Sequence, residues 1–356
     1  MFLIYLIKLL YLLANQTIMN LKSNFALILI AAATLMSACS KSKKEVGSGP
    51  EEPVVVVDST PLISLSSSWK KAVHLMADFP NGIQVYMNTT PFNGKALVAY
   101  CVVFDPKSGL ELKPVTATAN KKVSAFYTEE TGFRYACING GFFGTNTSYS
   151  LAMYKGAINA INIKSLTRTL NGANATYYPT RAAFGISEEG VPDVSWIYHV
   201  GTGNGTIYSY PAPAANLINT APKPVPTATL PAGGAIWNVK AAIGGSPMLI
   251  KDDKINITDK EELIDIDNTS SRARSAIGYT KNNMIVLLAV EGNITNGGAG
   301  LNLAELAQLM KEMGCVGAVN LDGGGSTSMT VRAKPTVKPS DGAERPVMTA
   351  LIIKRK

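Results

Sequence analysis

The chain has few of the residues on which common catalytic machinery depends. Its 356 residues include only two histidines, His74 and His199, and each lies in a strand-like apolar run. We expect both to be ordinary strand residues, which argues against a Ser-His-Asp hydrolase and against a histidine-built metal site. No Gly-Lys-Ser or Gly-Lys-Thr follows a glycine loop, so a nucleotide-binding P-loop has no support.

A concentrated basic surface is also missing, although positive charge is in excess. The formal net charge is +8, but the lysines and arginines are scattered along the chain. The two basic clusters, at 41–44 and 354–356, lie at the edges of the expected folded region and are typical of solvated charge. Because no basic stripe alternates with aromatic residues, we expect no nucleic-acid partner.

The N-terminal region resembles an export signal. Residues 19–39 contain Lys22, then a short apolar stretch, then small residues, and end at Cys39. This order is that of a secretory signal peptide, and the segment LMSAC resembles the lipobox of bacterial lipoproteins. We therefore predict a signal peptide over 1–38, with translation starting at Met19, and lipidation of Cys39.

A flexible tether is expected to follow the lipid anchor. Residues 39–65 are rich in Ser, Gly, Pro and charge, which is typical of a linker, and 66–356 then form a single folded domain. The expected location is that of an exported bacterial lipoprotein, anchored to a membrane and facing the periplasm or the cell surface. A membrane anchor formed by residues 1–14 is the alternative.

Cysteine is scarce in the exported part. Cys101, Cys137 and Cys315 remain, and an odd number cannot all pair within one chain. We expect buried free thiols, and a bond between Cys101 and Cys137 is the alternative.

Short strand-like runs dominate the folded region. The clearest strand candidates are 82–90, 95–106, 134–143, 240–254 and 274–292, the last as a hairpin with the turn TKNN. The helix candidates are 118–132 and 301–314. There is no repeat and no strict β-α-β alternation. The predicted fold class is therefore α+β, with a large mixed or antiparallel β-sheet core and few helices.

Polar residues follow glycine-rich breaks at the ends of several apolar runs. They are Asn139 with Gly140 and Gly141; Gly245 with Ser246; Arg274; Glu291; and Asn320 with Asp322, Gly323, Gly324, Gly325, Ser326 and Thr327. Several such breaks indicate one cleft where backbone approaches a ligand. Successive glycine N–H groups can form a nest for an anion, and an arginine matches phosphate oxygens. Asp322 would repel that anion unless it took part in chemistry, although closing a turn is its alternative role.

These blocks resemble the phosphodiester glycosidase family. The segments INGGFF, IGGSPMLI, RSAIG and NLDGGGSTSM occur in the family's order, and the resemblance runs from about Tyr86 to the C-terminus. The sequence departs from the family at the Pro-rich segment 210–231 and in RARSAIG, where Arg274 is the matching arginine. The resemblance implies hydrolysis of a sugar 1-phosphodiester on an extracytoplasmic glycan, which releases the sugar and exposes a phosphomonoester.

The same resemblance suggests a role for each residue. Asp322 is the first candidate, and Glu291 the second, for a carboxylate that attacks the anomeric carbon or activates water. Arg274 and the glycine nest would stabilise the departing charge. Asn139 and Asn320 would bind sugar hydroxyls or orient the carboxylates, and a plain turn role is the alternative for Asn139. The remaining glycines and hydroxyl side chains named above would line the substrate-binding site.

No cofactor is predicted, and two other functions remain open. The segment DIDN at 265–268 offers oxygen ligands for calcium but lacks the rest of an EF-hand loop. A phosphodiesterase that cuts P–O bonds would need a metal pair. The second function considered is a non-catalytic surface lipoprotein that binds an anionic glycan or cell-wall polymer. Asp322 favours catalysis, because a pure anion binder gains nothing from a carboxylate.

Overall fold

Strands account for most of the regular structure in this computed structural model, which describes residues 60–264 and 267–356. The predicted signal peptide over 1–38, the lipidation site Cys39 and the tether as far as residue 59 lie outside the described residues. In the described part, no helix is both long and apolar enough to cross a membrane.

The secondary-structure elements follow one another closely along the chain. The first group is β1 (Trp69–Lys71), β2 (Ile83–Asn88), β3 (Ala99–Phe104), β4 (Leu110–Lys121), α1 (Val123–Glu129), β5 (Arg134–Asn139), β6 (Phe143–Gly144), β7 (Thr147–Ser148), β8 (Ala152–Tyr154), β9 (Ala157–Ala160), β10 (Leu166–Leu170) and β11 (Ala173–Tyr177). The second group is β12 (Arg181–Ile186), β13 (Pro192–Val200), β14 (Thr206–Tyr210), β15 (Ala235–Ile236), β16 (Ala241–Gly244), β17 (Met248–Lys251), β18 (Lys254–Ile255), β19 (Arg274–Thr280) and β20 (Ile285–Val290). The last group is α2 (Leu303–Glu312), β21 (Cys315–Asn320), β22 (Met329–Val331), β23 (Lys334–Pro335) and β24 (Val347–Arg355).

Three large sheets surround the main core. Their strand orders are β1-β2-β3-β20-β19-β21-β17-β18, β15-β14-β13-β12-β16-β8-β9, and β23-β22-β5-β24-β4, and two small hairpins, β6-β7 and β10-β11, complete the set. Neighbouring strands pair antiparallel, as β19 does with both β20 and β21. Apolar side chains from all three sheets meet in one cluster, which includes Val102, Ile138, Phe184, Ile243 and Val319. The predicted strand-rich fold with few helices is confirmed.

Helix α2 forms where the sequence carries complete start and stop signals. Asn302 and Glu305 form a capping box, in which Glu305 N donates to Asn302 Oδ1 at 2.8 Å and Asn302 N donates to Glu305 Oε2 at 2.9 Å. Leu306 and Met310 are buried against the largest sheet, and Gly314 takes a left-handed φ of 83° just after the helix. The apolar face and Gly314 are the signals on which the prediction of this helix depended, and the capping box is an additional start signal.

Two predicted elements differ from the structure. The helix expected over 118–132 begins only at Val123, because Thr118 to Lys121 continue β4 in its pairing with β24. The strand expected over 240–254 is divided between two sheets. Its first part, β16, pairs with β12, and its second part, β17, pairs with β21.

The three cysteines of the described region are buried free thiols. Burial raises the pKa of each thiol, so none is a ready thiolate at neutral pH.

Candidate active site

Strand ends from different sheets meet at one edge of the molecule. β21 ends at Asn320, opposite Ala276 near the start of β19. β5 ends at Asn139, opposite Ala350 near the start of β24. The backbone N–H of Asp322 donates to the Gly140 carbonyl at 3.2 Å, which joins the two sheets at this point. The sequence blocks that carry Asn139 and Asp322 are therefore neighbours in space.

Asn139 is the centre of this junction. Its side chain is fully buried. Its Nδ2 donates to the carbonyls of Asp322 at 2.7 Å and Gly140 at 3.2 Å. Its Oδ1 accepts from Ser275 Oγ at 2.7 Å and from Ser328 N at 3.2 Å. Because these four bonds occupy the amide, Asn139 positions the Asp322 segment and has little left for a sugar hydroxyl.

The three glycines after Asp322 serve different contacts. Gly323 N donates to Asp322 Oδ1 at 2.9 Å, and Gly324 N donates to the Ala273 carbonyl at 2.8 Å. Gly324 has a φ of 57°, in the left-handed region that glycine adopts without strain. A Cβ at Gly325 would overlap Asp341 Oδ2 and Arg345 Nη2. The expected open anion nest is therefore altered, because two of its N–H groups bond within the protein.

An ion pair thus covers the glycine loop. Arg345 Nη2 lies 2.6 Å from Asp341 Oδ2, and Arg345 Nε donates to the same oxygen at 2.8 Å. Both side chains are nearly half exposed, at 45% and 42%. What comes close to the glycine backbone is a planar guanidinium together with its partner carboxylate.

The Asp322 carboxyl has a perturbed pKa at this edge. Burial raises its pKa from an ordinary 3.8 to about 6, against the lowering effects of the Ser326 hydroxyl, the Gly323 N–H and the Arg345 charge. The residue as a whole remains partly open to solvent. A carboxyl of this kind is mostly ionised at neutral pH and can be protonated under mildly acidic conditions.

Unpaired polar atoms occur in the segments that meet at this edge. Three buried oxygens in the blocks at this edge have no hydrogen-bond partner among the described residues, namely Asn320 Oδ1, Thr327 Oγ1 and Thr349 Oγ1, whereas the Ser326 hydroxyl faces the Asp322 carboxyl. Buried polar atoms are nearly always paired in folded proteins, so a group of orphans indicates a place for ligand or water. Of these, Thr349 is a site residue that the sequence analysis did not identify.

Arg274 lies beside the loop but faces other partners. Its Nε donates to the Leu301 carbonyl at 2.8 Å, and its Nη2 donates to the carbonyls of Asp267 at 2.8 Å and Ser270 at 3.2 Å. Burial lowers its pKa to about 10, so it stays charged at neutral pH. The Arg274 guanidinium therefore donates to these three carbonyls with N–H groups that were expected to face phosphate.

Glu291 is separated from Asp322 by strand β19. It follows β20, which lies two strands from β21, and two strand spacings amount to about 10 Å. Its Oε1 accepts from Lys338 N at 2.8 Å and its Oε2 from Gly298 N at 3.2 Å. The structure therefore gives Glu291 a loop-holding position, in which each carboxylate oxygen accepts a backbone N–H.

Ser246 and Gly245 form the opposite side of the junction. Gly245 N donates to the Ala182 carbonyl, and Ser246 N donates to the Asn320 carbonyl, each at 2.9 Å. Asn320 Nδ2 returns a bond to Ser246 O at 2.8 Å. Gly141 packs close to this turn, where a Cβ would overlap the Gly244 carbonyl.

A buried carboxylate, Glu262, anchors this side and was not identified from the sequence. Its two oxygens accept hydrogen bonds from Ser246 Oγ at 2.5 Å, Thr258 Oγ1 at 2.6 Å, Ala182 N at 2.9 Å, Met248 N at 2.9 Å and Trp196 Nε1 at 3.0 Å. Burial raises its pKa, and these hydrogen bonds oppose the rise. The Ser246 hydroxyl is thereby committed to the protein rather than to a substrate.

Arg345, Asp341, Thr349 and Glu262 are the site residues that sequence reasoning missed. For Arg345 a signal existed, because the segment ERPVMTALII follows the glycine loop in the same block. Asp341 and Glu262 lie in segments without any distinctive spacing, and only the fold brings them to this edge.

The calcium ligands considered at 265–268 are only partly described. Residues 265 and 266 lie outside the described residues, while Asp267 Oδ2 pairs with Arg272 Nη2 at 2.5 Å and Asn268 Nδ2 donates to Asp259 Oδ2. Among the residues that the structure covers, no group of three or more His, Cys, Asp or Glu side chains is arranged to hold a metal ion.

Known proteins share both sequence and fold with this chain. The bovine (Bos taurus) N-acetylglucosamine-1-phosphodiester alpha-N-acetylglucosaminidase is 38% identical over 69 residues, which are 19% of this chain and 13% of the bovine protein. The catalytic domain of the zebrafish enzyme of that name, auto-inhibited by its pro-peptide, superposes with a TM-score of 0.51 and 18% identity over 77% of this chain and 83% of the other. A hypothetical protein from Synechocystis gives 0.52 and 19% identity over 78% and 63%.

The structural matches and the sequence matches support different conclusions. The structural matches show the shared fold, and the aligned segment covers a small part of the bovine protein. The sequence profile of phosphodiester glycosidases, in contrast, matches residues 134–354, which is more than half of the chain and includes every residue of the edge described above. This chain belongs to the phosphodiester glycosidase family.

Proposed function

We propose that this protein hydrolyses a glycosyl phosphodiester at the bond between the anomeric carbon and the phosphate oxygen. Water supplies the hydroxyl of the released sugar, and the phosphomonoester leaves with the former bridging oxygen. The observation that carries this proposal is the Asp322 carboxyl, whose pKa is raised to about 6 at an edge that also carries three unpaired buried oxygens. The family to which the chain belongs supports the same class of reaction.

Asp322 is the reacting carboxylate in this proposal. In its ionised form it attacks the anomeric carbon or takes a proton from water. The leaving phosphomonoester is far more stable as an anion than a sugar alkoxide, so little proton donation is needed. Asn139 fixes the Asp322 backbone through its 2.7 Å bond to the Asp322 carbonyl, which limits movement of the carboxylate.

Arg345 is the proposed phosphate ligand. It lies close enough to Asp322 to lower the pKa of that carboxyl, and its guanidinium is nearly half exposed. A planar guanidinium can bind two phosphate oxygens at once. In the absence of substrate, Asp341 holds it above the glycine loop. Arg274, which is bonded to three carbonyls, supports the loop from behind and contributes its charge at longer range.

The unpaired oxygens are the proposed contacts to the sugar and phosphate. Thr327 and Thr349 each carry a hydroxyl that can donate to a substrate oxygen, and Asn320 Oδ1 can accept from a sugar hydroxyl. Asn139, Ser246 and the glycines shape the site without taking part in the chemistry.

The test is hydrolysis of a panel of sugar 1-phosphodiesters by the full-length chain, with and without a chelator. We expect free sugar and a phosphomonoester in equal amounts, and loss of turnover in Asp322→Asn. Asp78→Asn is the matched control, and it should retain turnover because the Asp78 side chain is 90% exposed and pairs only with the surface residue Arg332 among the ion pairs described. Cleavage that requires metal and leaves a sugar phosphate would indicate a phosphodiesterase. Binding without turnover across the panel would instead favour the glycan-binding lipoprotein.

The proposal includes an extracytoplasmic location, with the domain at 66–356 tethered through lipidated Cys39. A Cys39→Ser variant should leave the membrane fraction while its hydrolysis of the panel is unchanged. Continued membrane association of this variant would favour an anchor at residues 1–14.

A further inference from the structure

Glu344 lies directly before Arg345, the proposed phosphate ligand, and its carboxylate is bonded to two segments that are distant in the sequence. Its Oε1 accepts from Ser124 N at 2.8 Å and from Ser328 Oγ at 3.2 Å. Its Oε2 accepts from Ser124 Oγ at 2.6 Å. Three hydrogen bonds to one partly buried carboxylate therefore hold the residue next to Arg345.

The contact with Ser124 caps helix α1 from another part of the chain. The helix begins after Lys122, whose side chain makes no capping hydrogen bond, so the first N–H groups of α1 lack a local acceptor. Ser124 N is one of these groups, and the Glu344 carboxylate that accepts from it comes from 220 positions further along the chain. Helix α1 thus provides a fixed point for the backbone at Glu344.

The contact with Ser328 connects Glu344 to the candidate active site. Ser328 N donates to Asn139 Oδ1 at 3.2 Å, and Asn139 Nδ2 donates to the Asp322 carbonyl at 2.7 Å. Ser328 also follows Thr327, which carries one of the unpaired hydroxyls. Because one network holds both segments, Glu344 fixes the backbone before Arg345 relative to the backbone at Asp322.

The chain is also fixed just after Arg345. Val347 is buried in an apolar cluster with Val123, the first residue of α1. The Arg345 guanidinium itself pairs with Asp341, but both side chains are nearly half exposed, and an ion pair of this kind contributes little to holding a side chain in place. The position of Arg345 therefore depends on the backbone that Glu344 and Val347 hold on either side of it.

We infer that Glu344 is a positioning residue, which holds Arg345 over the glycine loop at 323–325 where the substrate phosphate binds. The inference rests on the proposed function for the role of Arg345. Glu344 itself touches no substrate and acts through Arg345. Loss of its carboxylate would release the Arg345 segment from Ser124 and from Ser328.

Kinetics of two Glu344 variants of the full-length chain provide the first test. Glu344→Ala removes all three hydrogen bonds, and it should lower kcat/KM for a glycosyl phosphodiester roughly tenfold, because a displaced ligand loses its alignment with the substrate. Glu344→Gln should restore most of the activity, since its amide can accept from Ser124 N and donate to Ser124 Oγ. In an Arg345→Met background, Glu344→Ala should cause no further loss. Independent losses that multiply in the double variant would overturn the inference.

The pKa of Asp322 provides a second test that does not depend on turnover. It can be measured by carbon-13 NMR of aspartate-labelled protein, in which Asp322→Asn identifies the resonance. The Arg345 charge lowers this pKa, so Glu344→Ala should raise it by displacing Arg345. Removal of the negative charge of Glu344 would by itself lower the pKa of a nearby carboxyl, so the direction of the change separates the two effects. An unchanged or lowered pKa would overturn the inference.

Glu129→Ala is the matched control, because Glu129 lies at the other end of α1, is 60% exposed and pairs with Lys121. It should leave kcat/KM and the Asp322 pKa unchanged. Ser124→Ala is a milder variant that removes only the bond to Glu344 Oε2, and it should change both quantities in the same direction as Glu344→Ala but to a smaller extent.

The two tests separate this inference from the proposed reaction. A chain that cleaves no sugar 1-phosphodiester, but in which Glu344→Ala raises the Asp322 pKa, would retain the role of Glu344 and refute the reaction. A chain that cleaves the diester equally well with and without the Glu344→Ala and Ser124→Ala changes would retain the reaction and overturn the inference.

Discussion

Replacing Asp322 by asparagine is expected to stabilise the protein at neutral pH while it abolishes turnover. Burial raises the pKa of this carboxyl from 3.8 to about 6, so the folded chain binds its proton more tightly than the unfolded chain does. The stability that the carboxyl contributes is therefore fully present below about pH 4 and is lost as the pH rises through about 6. Asparagine carries no charge, so the variant avoids this loss.

The magnitude follows from the two pKa values. Their difference corresponds to about 3 kcal/mol between acidic and neutral pH. Partial exposure of the side chain reduces this figure, and we expect about 2 kcal/mol. The side-chain oxygen of the introduced asparagine would keep the bond from Gly323 N, so the loop should retain its conformation.

Urea unfolding of both proteins from about pH 4 to about pH 8 is the appropriate assay. The free energy of unfolding of Asp322→Asn should exceed that of the unaltered protein by an amount that increases up to about pH 6 and then stays constant. Asp78→Asn is the control, because the Asp78 side chain is 90% exposed and its replacement should give no such trend. A constant difference across the whole range would refute the reasoning about Asp322, as would retained turnover.

Three further predictions follow from the same edge. The kcat/KM for a glycosyl phosphodiester should rise with pH through about 6, because the ionised form of Asp322 is the reactive one; a profile that falls through this range would assign Asp322 the role of an acid. Arg345→Met should lower kcat/KM roughly 10- to 100-fold and should raise the pH midpoint of the kcat/KM profile, because the Arg345 charge lowers the pKa of Asp322. The control is Arg355→Met, which removes an arginine stacked on Phe133 at 4.5 Å and should leave kcat/KM and the pH midpoint unchanged. Glu262→Gln should cost about 2 kcal/mol in urea unfolding, because its amide would place a donor against donors such as Ala182 N; an unaltered midpoint would mean that this network is not a structural anchor.

The glycine loop shows which local feature can be predicted from the sequence and which contact cannot. Three successive glycines indicated that something approaches the backbone closely, and this is so at Gly325. The sequence predicted that this group would be an anion bound by three free backbone N–H groups. The structure instead uses two of those groups internally and brings the Asp341–Arg345 pair against the third glycine. The sequence contained the local requirement, but the partner comes from a loop 16 residues or more further along the chain.

Arg274 and Glu291 show a related limit. Both lie at strand ends on the edge that carries Asp322, with Glu291 two strands away from it, but their bonds are to backbone groups of neighbouring loops. Residue type and position at a strand end do not determine the direction in which a long side chain points. That direction depends on which carbonyl or N–H groups the surrounding loops leave unpaired.

The sequence by itself determined the strand-rich fold class, the capped helix α2, the β19–β20 hairpin and the set of strand ends that carry polar residues. These features depend on periodicity, caps and turns, which act over a few residues and can be recognised locally. Only the tertiary structure decided that Asn139 bonds to the Asp322 backbone, that Arg345 and Thr349 join the site, and that Glu344 bonds to Ser124. These contacts join residues tens to hundreds of positions apart. They depend on how three sheets pack around a shared core, which no local pattern specifies.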